Sequence, residues 1–123
     1  MKFLIVDDNP IMRQTIGRVV RKDGDEVIEC DDGKDALVMY ERCHPDWVLM
    51  DINMKDVNGI EATERITRAY PAAKVVVVTD YLDRFFQKAA KEAGALAFVS
   101  KEDLKAVRIL INQNETTTER KTS

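Results

Sequence analysis

Several things are scarce in this chain, and each scarcity closes a class of function. It has two cysteines, Cys30 and Cys43, with neither metal-ligand nor redox-motif spacing, so they read as reduced, buried thiols of a cytosolic protein. The single histidine, His44, precedes Pro45 in a loop and has no second histidine to complete a ligand set, which makes it a turn residue and not a metal or catalytic centre. No glycine-rich loop follows the first apolar segment, so the chain lacks the backbone cradle of a nucleotide or flavin binder. Positive charge is not in excess: 19 basic against 22 acidic side chains give a net charge of -3, which argues against binding a nucleic-acid backbone directly. Long apolar runs are missing too. Lys2 is followed by only four apolar residues, Phe3 to Val6, too few for a signal-peptide core or a membrane span. The expectation is a cytoplasmic protein with no membrane partner.

What is present suits one globular domain. At 123 residues, 45% apolar and 33% charged, the chain buries a core without staples and leaves no room for a second domain. Phe3 to Val6 reads as a strand buried on both faces and ends in Asp7, Asp8 and Asn9. Pro10 stands at a first helical position, and apolar residues recur at helical spacing to Val20 before Asp23-Gly24. A strand over Glu26 to Cys30, a turn at Asp31-Asp32-Gly33 and a helix through Ala36, Leu37, Tyr40 and Cys43 follow. Trp47 to Met50 is a buried strand delivering Asp51 into a loop, and a third helix carries Ile60, Thr63 and Ile66. Four consecutive valines lead a strand to Thr79. Asp83 is placed to cap a fourth helix ending at Gly94, Ala97 to Ser100 is a fifth strand, and a last helix opening at Ser100 or just after it carries Leu104, Val107, Leu110 and Ile111. From Asn112 the chain is polar, without apolar periodicity. Five strands alternating with five helices predict an α/β fold, a parallel sheet covered on both faces with ligands bound beyond the strands' carboxyl ends.

The residues at those ends are unusually chosen. Asp7 and Asp8 follow the first strand, Asp51 the third, Thr79 ends the fourth, and Ser100 and Lys101 close the fifth. Carboxylates brought this close repel by about 4 kcal/mol per pair at 4 Å and an effective dielectric of 20. They call for a cation, and an all-oxygen set with no cysteine or histidine suits a hard ion, Mg2+ best where waters and a phosphoryl group complete the octahedron. With a lysine and a hydroxyl added, the set is one for phosphoryl transfer onto a carboxylate. Singly, each residue has an ordinary reading as a cap, turn former or solvated charge. Their joint placement on one rim does not.

Here the chain resembles the receiver domain of two-component response regulators. The resemblance rests on Val6-Asp7-Asp8-Asn9, Met50 to Met54 with Gly59 to Thr63, Thr79, Ala93-Gly94-Ala95 and Phe98-Val99-Ser100-Lys101. It implies a receiver domain over residues 1–112 with a polar tail or linker stub at 113–123, and a flavodoxin-like, doubly wound five-stranded parallel sheet in the order 2-1-3-4-5. It further implies that Asp51 is the phosphoacceptor, served by a histidine kinase, a phosphotransfer protein or a small phosphodonor. Asp8, Asp51 and the carbonyl of Asn53 would be Mg2+ ligands, Asp7 would act through water, Thr79 and Lys101 would hold phosphoryl oxygens, and Phe98 would be the switch aromatic.

The function expected is therefore a phosphorylation-activated switch, not an enzyme with an outside substrate. It would assist its own phosphorylation and dephosphorylation and change a surface of the fourth helix, fifth strand and fifth helix, read by an effector, a partner or a dimer mate. The style is that of receivers attached to helix-turn-helix DNA-binding effectors; no such effector is encoded in these residues. Three positions depart from the pattern: Asp80 where a small residue is usual, Lys55 where proline is common, and Glu102 after the lysine. Asp80 is expected to alter phosphorylation rate or lifetime. The rival readings are an Mg2+-dependent aspartyl-phosphate phosphohydrolase, disfavoured because Asp7-Asp8-Asn9 is not an Asp-x-Asp, and a pseudo-receiver interaction module.

Overall fold

The computed structural model describes residues 1–54, 56–80 and 84–122; the expectations for Lys55 and for a cap at Asp83 lie outside them. The apolar segments become strands β1 (Lys2–Val6), β2 (Glu26–Cys30), β3 (Trp47–Met50), β4 (Val75–Thr79) and β5 (Ala97–Ser100). Between and after them run helices α1 (Pro10–Val20), α2 (Ala36–Cys43), α3 (Gly59–Ala69), α4 (Arg84–Glu92) and α5 (Leu104–Thr122), with one 3-10 turn at Gly33–Asp35. All pairings are parallel and the order is β2-β1-β3-β4-β5, the doubly wound arrangement expected.

The continuous apolar runs are explained by burial on two faces. Phe3, Ile5, Trp47, Leu49, Val76 and Val78 turn to one side, against Ile16 and Val20 of α1 and Val107 and Ile111 of α5. Leu4, Val6, Val48 and Met50 turn to the other, against Ala36 and Tyr40 of α2 and Ala62 and Ile66 of α3. A smaller cluster of Ile52, Val77 and Ala90, flanked by Ile60, Phe86 and Phe98, fills the space beside α4. Cys30 is buried and Cys43 only half-buried, both as free thiols. His44 ends α2 in a left-handed conformation at φ 47°, the turn role foreseen for it.

Helix ends follow local chemistry. Asn9 caps α1 by accepting the N–H groups of Ile11 and Met12, with Pro10 at the first helical position. Gly94, at φ 100°, closes the C-terminal turn of α4, where Ala95 N–H reaches the carbonyl of Ala90 at 3.0 Å. The last helix starts later than expected. Ser100 spends its hydroxyl on the N–H of Glu102 (3.1 Å) and its carbonyl on that of Asp103 (3.0 Å), a tight turn that postpones α5 to Leu104. The same helix runs to Thr122, past its last sequence-marked apolar position, Ile111. Among the described residues no helix is long and apolar enough to cross a membrane.

Register aligns the carboxyl ends: Val6 lies opposite Met50, Met50 opposite Val77, and Thr79 opposite Ser100. The chain leaves β1 for β2 on one side and returns to β3 on the other, so the crevice between α/β units opens above β1 and β3. The first residues past those two strands are Asp7 and Asp51.

Candidate functional site

The site begins with the turn after β1. Asp7 is fully buried, and its backbone N–H donates to the carbonyl of Cys30 at 3.0 Å, continuing the ladder with β2. Its Oδ1 accepts the N–H of Asn9 at 2.8 Å. Its Oδ2 has the Lys101 ammonium at 3.0 Å as ionic partner and otherwise takes no hydrogen bond from the described residues. A buried carboxylate with one oxygen left for electrostatics is expensive unless a charge is kept beside it. Asp8, next in the chain, is exposed and opens the site to water.

Asp51 extends β3, its N–H donating to Val6 O at 2.9 Å. It is 4% exposed, with Lys101 Nζ 3.2 Å from its Oδ1. Burial pushes its carboxyl up to about 6; the charge of Asp7 adds to this, Lys101 opposes it, and Asp8 adds a little more. Burial alone would lower the Lys101 ammonium, but Asp7 and Asp51 outweigh it and raise the group above its ordinary value. Lys101 reaches this position because it sits in the turn after β5, its N–H bonded to Thr79 O at 2.8 Å.

The other expected site residues divide in two. Thr79 is fully buried at the end of β4, in register with Ser100 beside Lys101. Asn53 is exposed in the loop after Asp51. Phe98 lies further off, half-buried on β5 against the Ile52, Val77 and Ala90 cluster. Asp80, after Thr79, is exposed.

Sequence reasoning missed two supports and saw a third, Gly59, only as a turn residue. Arg13 donates from Nη1 to the carbonyl of Asp7 at 2.7 Å and from Nε to Glu29 at 2.8 Å, pinning the acidic turn to β2. Asp32, read only as part of a turn, accepts backbone N–H groups from Lys34, Asp56 and Val57. At Gly59 a Cβ would collide with the carbonyl of Asp51, so the glycine is a requirement of close approach. Its spacing from Asp51 was visible, but the contact was not.

One carboxylate oxygen from each of Asp7, Asp8 and Asp51 lies within 4.8 Å of the others. Among the described residues three acids face the Lys101 ammonium, all ligand atoms are hard oxygens, and Asp8 admits solvent, so the set fits a hydrated divalent cation such as Mg2+.

Comparison with known proteins follows the same residues. The chain is 37% identical over 103 residues to the response regulator GacA of Pseudomonas aeruginosa, covering 82% of this chain and 48% of that one. It is 37% identical over 101 residues to the chemotaxis protein CheY of Thermotoga maritima, covering 81% of this chain and 84% of that one. The crystal structure of a LuxR-family two-component response regulator from Aurantimonas sp. SI85-9A1 superposes with a TM-score of 0.76 at 35% identity, over 81% of this chain and 73% of that one. The chain spans about half the length, or less, of the first curated relatives it matches. The family model described as the response regulator receiver domain matches residues 3–112, a span that holds β2 to β5 whole, β1 from its second residue, the acidic cluster and Lys101, and the chain belongs to that family.

Proposed function

We propose that this receiver domain is a phosphorylation-controlled switch in which Asp51 accepts the phosphoryl group. The observation that carries the reading is a strand-end carboxylate, 4% exposed, with an ammonium at 3.2 Å and two further carboxylates within reach of one cation. A carboxylate oxygen of Asp51 attacks phosphorus as the bond from phosphorus to the donor breaks. The donor is the phosphohistidine of a sensor kinase or phosphotransfer protein, or a small acyl phosphate, and it leaves with the bonding pair. Lys101 and Thr79 hold phosphoryl oxygens, and Asp7 fixes Lys101 and orders water. Asp8, Asp51 and the carbonyl of Asn53 hold Mg2+, which when bound neutralises charge on the transferred group. The acyl phosphate is later hydrolysed at the same site, and no outside metabolite is turned over.

The output follows from what the modified site touches. Drawing the Thr79 hydroxyl toward the phosphoryl group vacates space that Phe98 fills, shifting the face of α4, β5 and α5 between two states. That face binds a partner or a second copy of the domain. By likeness to a DNA-binding response regulator of the LuxR family from Staphylococcus aureus, 26% identical, the readout is a DNA-binding effector, in the cytoplasm beside its kinase. The test is incubation with Mg2+ and a small acyl phosphate, followed by intact mass. One phosphoryl adduct that needs Mg2+ and is lost in Asp51→Asn is expected. Steady release of phosphate from many esters would instead favour a phosphohydrolase, and no adduct at all a pseudo-receiver.

A further inference from the structure

On the Mg2+ reading, the loop that leaves β3 has to present the Asn53 carbonyl at a fixed distance from Asp7 and Asp8, and the bonds of its described residues come mostly from outside it. Residues 51–58 contain no proline, so no ring fixes a backbone angle there. The loop is closed at its far end, where Gly59 N–H donates to Ile52 O at 2.9 Å. In its middle, the N–H groups of Asp56 and Val57 point out of the loop altogether. They go to Asp32, on the neighbouring loop after β2: Asp56 N to Oδ2 at 2.9 Å and Val57 N to Oδ1 at 3.2 Å, with Lys34 N also on Oδ1 at 2.9 Å.

A turn former needs only the third of these bonds. The two across to the other loop, 24 and 25 residues away in sequence, make Asp32 a tie between loops. It is 5% exposed, so its bonds are sheltered from water. Burial by itself would raise its carboxyl, yet the three N–H donors and Lys34 hold it below the ordinary value, so it stays ionised and its bonds are of the stronger, charge-assisted kind. Gly33 brings the loops together. It does not occupy the left-handed region, and its lack of a side chain answers a need for space: a Cβ there would collide with the carbonyl of Val57 and stand 3.1 Å from Cβ of Ala62. The other side of Asp32 is tied to the acidic turn, since Cys30 Sγ donates to Asp32 O at 3.1 Å and Asp7 N donates to Cys30 O at 3.0 Å.

We propose that Asp32, seated by Gly33, is a positioning residue for the metal side of the phosphoryl site: it clamps the Asp56–Val57 backbone and so sets where the Asn53 carbonyl stands relative to Asp7 and Asp8. The proposal rests on the Mg2+ reading given above. It acts through backbone and touches neither the cation nor the phosphoryl group.

The test is Mg2+ affinity by titration calorimetry for the parent, Asp32→Asn, Gly33→Ala and Asp31→Asn, with amide exchange of Asp56 and Val57 followed by NMR. Asp31 is exposed and adjacent, so its substitution removes the same charge without touching the loop. Expected are a loss of roughly tenfold or more in affinity for Asp32→Asn, the scale of outer-shell changes at metal sites, and less than about twofold for Asp31→Asn. Gly33→Ala changes no charge and should weaken Mg2+ in the same direction, with faster exchange at both amides. Asp32→Asn and Gly33→Ala binding Mg2+ as the parent does, or Asp31→Asn losing as much as Asp32→Asn, would overturn the clamp alone. A parent that binds no Mg2+ would overturn the metal reading and the clamp with it.

Discussion

At the scale of single residues the site stores unfavourable electrostatics. The Asp51 carboxyl is raised from 3.8 to about 6, chiefly by burial and then by Asp7, so the metal-free native state holds that proton more tightly than the unfolded chain does. The stability this confers is complete below the unfolded value and is lost as pH rises through about 6. The rise corresponds to about 3 kcal/mol of strain at neutral pH. Asp51→Asn removes it and leaves Lys101 its partner Asp7 at 3.0 Å. Thermal denaturation without metal should therefore find the variant more stable than the parent at pH 7, by up to about 3 kcal/mol, with the gap closing toward pH 4. Asp80 poses a separate question, because it is exposed and directly follows the buried Thr79. Asp80→Ala, which removes a negative charge from beside an anionic group, should change the rate of adduct formation or its lifetime by intact-mass time course. Asp7, Asp8, Asp51, Thr79 and Lys101 were legible in the sequence because each follows or ends a strongly patterned strand. Arg13 and Asp32 were not, since their partners are backbone groups that only the folded chain brings near.

At the scale of elements, strands were easier to read than the turns that aim the chemistry. β1, β3 and β4 stand out because burial on both faces demands uninterrupted apolar residues. The start of α5 was misplaced because Ser100 bonds its own turn before the helix begins, a choice between two uses of one hydroxyl that residue type does not settle. The β3–α3 junction shows how tight such turns are. Asn58 caps α3 by accepting Glu61 N at 2.9 Å, and Gly59 packs against the carbonyl of Asp51. Asn58→Ala should cost about 1 kcal/mol as a lost cap. Gly59→Ala forces a collision with backbone that no rotamer relieves, and should cost about 1–3 kcal/mol or more while displacing Asp51. Urea denaturation ranks the two, and only the glycine substitution should also slow phosphoryl-adduct formation severalfold.

At the scale of the whole molecule, the doubly wound topology explains why the strain is tolerated. The sheet carries its apolar core on both faces, and the acidic cluster sits beyond the carboxyl ends of the strands, at the switch point between the parallel neighbours β1 and β3 where the strand order reverses. Fold stability thus comes from elements that the site does not disturb, and the site is free to favour a ligand-bound form. Among the described residues the Asp7, Asp8 and Asp51 carboxylates gather around the Lys101 ammonium, and a divalent cation relieves repulsion that the folded state, and not the unfolded chain, imposes. Binding to the native state at a hundred times the dissociation constant adds about 2.7 kcal/mol, which for a domain of this size is a rise in Tm of about 10 °C. That rise should be present at pH 7, shrink as pH falls below about 6 and Asp51 takes up its proton, and be much reduced in Asp51→Asn. Differential scanning calorimetry with and without Mg2+ across that range measures it. A Tm indifferent to Mg2+ at pH 7 would show that the protein's own cationic groups balance the cluster, and that the acids are not arranged for a metal ion.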